Sequence, residues 1–187
     1  LSGLESRDRE GNDIVTNLDL KGTEAAVNGL AGRKGAVVAI EPATGKVRVM
    51  VSIPEYDPNL ITSQIGQLNN DRANQPLLNR TTQELYPPGS TFKVVTATAA
   101  LDSGKITPNT TINASSPKTI SGVPLENAGG EQFGDISATD ALTNSVNTYW
   151  AQVGERIGRD TLVEYMRRYG FYEDPQLDYP SWQMIPS

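Results

Sequence analysis

Glu84-Leu85-Tyr86-Pro87-Pro88-Gly89-Ser90-Thr91-Phe92-Lys93 decides the fold, and the rest of the chain reads outward from it. Proline suits the approach to a helix, because its fixed φ matches the entry and it lacks an N–H that would be orphaned there. Downstream, residues 92–101 are almost wholly apolar, and Gly104 offers a C-terminal stop. Ser90 therefore falls in the first turn of a buried helix. Lys93 lies one turn on, on the same face.

That placement carries chemistry. A serine hydroxyl is a poor nucleophile until a base takes its proton, and a desolvated lysine can be that base. A helix N-terminus adds N–H groups and positive dipole character, which suit a developing oxyanion and disfavour the ammonium form of Lys93. A plain helix cap at Ser90 and a snorkelling surface lysine at 93 are the bland alternatives. Phe92, Val94 and Val95 beside Lys93 fit a surface residue poorly.

Composition narrows the chemistry further. With 187 residues, the chain is long enough for one substantial domain. A net charge of −6 argues against binding nucleic acid through its phosphates. Histidine and cysteine are both absent, so no Ser-His-Asp triad, Cys-His pair or His/Cys zinc site can be assembled. No metal or cofactor is expected, and any catalytic base must be lysine, a carboxylate or tyrosine. No apolar run is long enough to cross a bilayer, and Leu1 is not a natural start. An anchor is therefore expected upstream.

Along the chain, residues 13–18 read as a short strand, and Asp19 or Thr23 can cap a helix running to Leu30. Residues 35–40 and 46–51 are β-branched runs flanking Glu41-Pro42-Ala43-Thr44-Gly45, the best hairpin signal present. The first run is continuous, as for a strand buried on both faces; the second alternates, as for one with a wet face. Residues 52–83 read as a long surface loop with one helical turn near 61–67. Short extended pieces are expected near 110–112 and 118–123. Ser137 and Asp140 form a capping-box-like start to a helix that breaks at 144–147 and resumes at Thr148. A last helix spans roughly 161–169.

Ser145-Val146-Asn147 sits on that break and offers a hydroxyl and a carboxamide on one side of a short loop. Alone it reads as an ordinary loop with cap residues. Residues 86–93, followed about 55 residues later by Ser145-Val146-Asn147, resemble the penicillin-binding proteins, the serine D,D-transpeptidases that cross-link bacterial peptidoglycan. Residues 35–52, Tyr56-Asp57-Pro58-Asn59 and Leu78-Asn79-Arg80 are similar to the opening of a class B, monofunctional transpeptidase domain. Ala141-Leu142 and Arg168-Tyr169-Gly170-Phe171 fit as well, so the resemblance covers most of residues 13–175.

The resemblance implies an α+β, β-lactamase/transpeptidase-like fold, with an antiparallel sheet flanked by helices and incomplete in this chain. It implies that Ser90 is the acylated nucleophile, that Lys93 is its general base, and that Ser145 shuttles a proton. Asn147 would hold the substrate amide, and Ser90 would meet substrate as well, its N–H serving as an oxyanion donor. The implied substrate is the D-Ala-D-Ala end of a stem peptide, with β-lactams acylating the same serine. A membrane glycosyltransferase and the rest of the transpeptidase domain are the implied partners, at the extracytoplasmic face of a bacterial membrane. The family's Lys-Thr/Ser-Gly strand is not found; Lys118-Thr119-Ile120 lacks the glycine and precedes Ser145. Residues 1–34 are thus expected to end a non-catalytic N-terminal region or linker, and residues 35–187 to form the N-terminal part of the domain. A serine β-lactamase, a D,D-carboxypeptidase and a non-catalytic β-lactam sensor or scaffold are the alternatives.

Overall fold

The two β-branched runs pair as an antiparallel hairpin in the computed structural model, which describes residues 13–186: β1 is Gly35–Ile40 and β2 is Val47–Ile53. Gly35 faces Ile53 and Ala39 faces Val49, but Ile40 faces Val47, so Arg48 is the extra residue of a bulge. That residue is used on both sides. Its Nε donates to Glu41 Oε2 at 2.9 Å, and its carbonyl accepts the Asp19 N–H at 2.8 Å.

Helix α1, Leu20–Leu30, starts from that contact. Asp19 is the cap, its Oδ1 accepting the Gly22 N–H at 2.6 Å, while Thr23 Oγ1 bonds back to the Asp19 carbonyl. The helix packs on β2, and a Cβ at Gly22 would stand only 2.9 Å from Val49 Cγ2. Glycine there is what lets helix and strand approach.

This packing reverses the expected burial of the hairpin. Val49 and Val51 of β2 are buried, whereas Val38 and Ile40 of β1 are 44% and 54% exposed. The covering helix lies on β2, and among the described residues β1 has no third strand beside it. The strand expected at residues 13–18 is irregular, with Ile14 and Val15 exposed, because no described segment supplies a ladder partner. Residues 1–12, polar and charged in sequence, lie outside the described residues.

The stretch expected to be a surface loop is more ordered than its composition implies. A 3-10 turn at Pro58–Leu60 leads into α2, Ile61–Asn70, longer than the single turn expected. Beyond it the chain wraps around the buried side chain of Arg80, whose guanidinium donates to the Asn74 carbonyl at 2.7 Å and the Gln75 carbonyl at 3.2 Å. Ser52 Oγ donates to the Leu78 carbonyl and accepts the Arg80 N–H, both at 3.0 Å. A polar stretch thus satisfies its own backbone internally.

The chain divides at Glu84/Leu85 into two compact units. The second contains α3 (Lys93–Asp102), β3 (Thr111–Asn113), β4 (Lys118–Ile120), β5 (Val123–Leu125), β6 (Asp135–Ser137), α4 (Ala138–Thr143) and α5 (Asn147–Arg168). Strand β3 pairs with β6 and β4 with β5, each as a short antiparallel ribbon. Gly158, at φ +78°, divides α5 near the gap expected between two helices. Ser137 Oγ accepts the Asp140 N–H at 3.1 Å, the predicted cap.

The core of this unit forms where α3 lies on α5. Ala97, Ala99 and Ala100 keep the α3 surface low, and Val146, Tyr149, Trp150, Val153 and Ile157 fill against it. Tyr149 is fully buried, its hydroxyl donating to the Thr110 carbonyl at 2.7 Å and its ring meeting Trp150 edge-on at 5.2 Å. Helix α3 is less enclosed than its apolar sequence predicts, since Val94 and Leu101 remain 51% and 41% exposed. The two hydrogen-bonding ends of this core, the starts of α3 and α5, are where the chemistry gathers.

Candidate active site

Gly89, at φ +56°, turns the chain after Pro87-Pro88 into a single 3-10 turn, Gly89–Phe92, which Thr91 Oγ1 closes by donating to the Pro88 carbonyl at 2.6 Å. Ser90 lies on this turn and Lys93 is the first residue of α3. In 3-10 geometry side chains three residues apart eclipse. Lys93 Nζ accordingly lies 3.1 Å from Ser90 Oγ.

Ser145 occupies the break between α4 and α5 in the left-handed region, at φ +53°. This conformation is costly for a residue with a side chain and persists only where surroundings hold it. Here it turns both the carbonyl and the hydroxyl of Ser145 onto Lys93 Nζ, at 2.6 and 2.9 Å. Asn147, the first residue of α5, brings its Oδ1 to 2.7 Å from the same nitrogen. Ser145 Oγ donates to Ser90 Oγ at 3.0 Å. Ser90, Lys93, Ser145 and Asn147, singled out in the sequence, are therefore all brought together.

The electrostatics of this cluster are unusual for a lysine. Its four hydrogen-bonding neighbours are neutral oxygens. Desolvation pushes the Lys93 ammonium below its ordinary pKa. The Ser145 carbonyl and Asn147 Oδ1 are acceptors only, so they take two N–H bonds and leave the remaining tetrahedral position facing the two hydroxyls. A neutral amine presents its lone pair there.

Residues 35–183 match the family model described as the penicillin-binding protein transpeptidase domain. The chain belongs to that family. It is 40% identical to the peptidoglycan D,D-transpeptidase PbpA of Mycobacterium tuberculosis, over 91% of this chain and 38% of that protein. Among solved structures it resembles the D,D-transpeptidase domain of a peptidoglycan glycosyltransferase from Eggerthella lenta, with a TM-score of 0.81, 31% identity, and 91% of this chain matching 40% of that one. An imipenem acyl-enzyme complex of penicillin-binding protein A from M. tuberculosis gives a TM-score of 0.78 at 37% identity, covering 86% of this chain and 41% of that one. The chain thus spans about two fifths of the length of the relatives it matches.

Ser90, Lys93 and Asn147 open on a groove of about 430 Å³, lined also by Phe92, Thr96, Leu125 and Trp150. A larger recess on the outer side of α5, between Arg159 and Arg168, holds none of them. Lys118 makes its hydrogen bond elsewhere, its ammonium donating to the Asn113 carbonyl at 2.8 Å. What the sequence reading missed is the Glu126 carbonyl, which accepts the Asn147 amide at 2.9 Å. A backbone oxygen has no side-chain signature, and nothing in the sequence around residue 126 announces it.

Proposed function

We propose that the full-length protein is a serine D,D-transpeptidase that works through an acyl-enzyme on Ser90. The observation that carries this is the triangle of Lys93 Nζ, Ser90 Oγ and Ser145 Oγ, with sides of 3.1, 2.9 and 3.0 Å. Neutral Lys93 takes the Ser90 proton as Oγ attacks the carbonyl carbon of the D-Ala-D-Ala bond. The Ser90 N–H, at the start of its helical turn, faces the developing oxyanion. On collapse the C–N bond breaks. The proton returns from Lys93 through Ser145 Oγ to the leaving D-alanine nitrogen, leaving an ester on Ser90. An acceptor amine then attacks that ester, its proton passes to Lys93, and Ser90 Oγ leaves with a proton as the cross-link forms. Asn147 aligns the substrate amide. A β-lactam opens on the same oxygen, but its leaving nitrogen stays tethered. The acyl-enzyme form of the M. tuberculosis relative supports this reading.

The wider setting follows from the same reading. Residues 35–187 form the N-terminal part of the transpeptidase domain, and residues 1–34 close a preceding non-catalytic region; the family match beginning at residue 35 supports that boundary. Sequence beyond these residues supplies the second oxyanion donor and the group that grips the substrate carboxylate. The protein works at the extracytoplasmic face of a bacterial membrane, where peptidoglycan is built, beside a glycosyltransferase. Among the described residues no helix is long and apolar enough to cross a membrane.

The test is turnover by the full-length protein with a stem pentapeptide donor and an amine acceptor. The expected result is D-alanine release with an amide-linked product. Release with hydrolysis alone would make it a carboxypeptidase, rapid hydrolysis of penicillin a β-lactamase, and an inert penicillin adduct without turnover a sensor or scaffold.

A further inference from the structure

Asn127 has no place in the chemistry described above, yet its buried side chain is hydrogen-bonded at both ends of the carboxamide. It is 5% exposed. Its Nδ2 donates to the Ala114 and Glu131 carbonyls, both at 3.1 Å. Its Oδ1 accepts the Thr148 N–H at 3.0 Å and lies 3.1 Å from Thr148 Oγ1. Both donor hydrogens of the carboxamide are therefore taken and its oxygen holds a backbone N–H, while the single Thr148 hydroxyl proton is shared with the nearer Ala114 carbonyl at 2.9 Å. Its backbone N–H donates to the buried Ser116 Oγ at 3.0 Å.

That last bond matters for the active site. The Asn127 N–H and the Glu126 carbonyl belong to one planar peptide unit, in which a trans linkage points them in opposite directions. Fixing the N–H on Ser116 therefore aims the Glu126 oxygen, and it is aimed at Asn147 Nδ2, 2.9 Å away. That contact decides the orientation of the Asn147 amide: a carbonyl can only accept, so Nδ2 must face Glu126 and Oδ1 must face Lys93. At the other end, Asn127 Oδ1 holds the Thr148 N–H, the next residue along α5 from Asn147. Asn127 thus ties down the peptide unit that orients the Asn147 amide, through its backbone N–H on Ser116, and the backbone that carries that amide, through its side chain on Thr148.

We infer that Asn127 is a positioning residue for Lys93, acting through the Glu126–Asn127 peptide unit and the Asn147 amide. This rests on the acyl-enzyme reading of Ser90. Loss of the anchor lets the Asn147 amide turn or drift, and Lys93 Nζ then loses one of the two acceptors that aim it at Ser90. Misplacement of a catalytic group by about 1 Å costs on the order of 100-fold in rate.

The experiment is a double-mutant cycle on penicillin acylation of the full-length protein, with Asn127→Ser, Asn147→Ala and the pair. A second arm uses Ser116→Ala, which removes only the acceptor for the peptide N–H. Thermal unfolding of every variant accompanies the rates. The expected result is that Asn127→Ser slows acylation by about 10- to 100-fold, but costs less than about threefold further in the Asn147→Ala background. Ser116→Ala follows the same pattern more weakly. Equal losses in both backgrounds, or losses that track the unfolding temperature alone, would make Asn127 a purely structural residue and overturn the inference. Wild-type protein that never becomes acylated would instead overturn the reading of Ser90, a separate outcome seen before any variant is made.

Discussion

Lys93→Ala slows acylation of the full-length protein by penicillin about a thousandfold, the scale at which a positioned general base contributes. The geometry argues for a base and not merely a charge. Two of the contacts to Nζ go to oxygens that can only accept, and the remaining direction faces the Ser90 and Ser145 hydroxyls at 3.1 and 2.9 Å. Lys93→Arg separates the two roles, because a guanidinium keeps the charge and cannot lose its proton in this range. It should therefore be as slow as Lys93→Ala. The wild-type rate should fall as pH drops through the lowered pKa of Lys93, since protonation removes the lone pair, and desolvation is what brings that transition below the ordinary lysine value. Recovery of most of the rate by Lys93→Arg would show that charge alone suffices.

Tyr149→Ala has the largest expected effect on stability. The ring is fully buried between α3 and α5 and meets Trp150 edge-on, while the hydroxyl holds the Thr110 carbonyl next to β3. Removing a buried aromatic side chain leaves a cavity and costs about 3–5 kcal/mol, a large part of the stability of an ordinary domain. Tyr149→Phe keeps the ring and strands only the carbonyl, at about 1–3 kcal/mol. Urea unfolding of the two variants should rank them in that order, and the alanine variant should misplace the α5 start that carries Asn147. Equal destabilisation by both would mean that the hydrogen bond, not the ring, dominates at this position.

The parts of this site that could be read from sequence are those whose geometry is local. Ser90 and Lys93 are three residues apart on a turn that the preceding prolines and Gly89 announce, so their approach follows from helical spacing alone. Ser145 and Asn147 were legible as polar residues on a break between helical patterns, though only the resemblance brought them to Ser90. The hairpin was legible from two β-branched runs around a turn. Which of its strands is covered was not, because burial depends on α1 choosing β2, and that choice turns on the missing side chain at Gly22. The loop around Arg80 misled for a related reason. A polar composition looks solvated until one guanidinium finds enough backbone carbonyls to bury itself among. The Glu126 carbonyl was beyond reach, since main-chain groups are the same in every residue.

The most direct test of Ser90 as nucleophile is the intact mass of the full-length protein after incubation with benzylpenicillin, followed by peptide mapping under denaturing conditions. The expected result is a gain of one intact penicillin molecule, carried by the peptide that contains Ser90 and abolished in Ser90→Ala. An adduct on any other residue, or no adduct on folded wild-type protein, would contradict it.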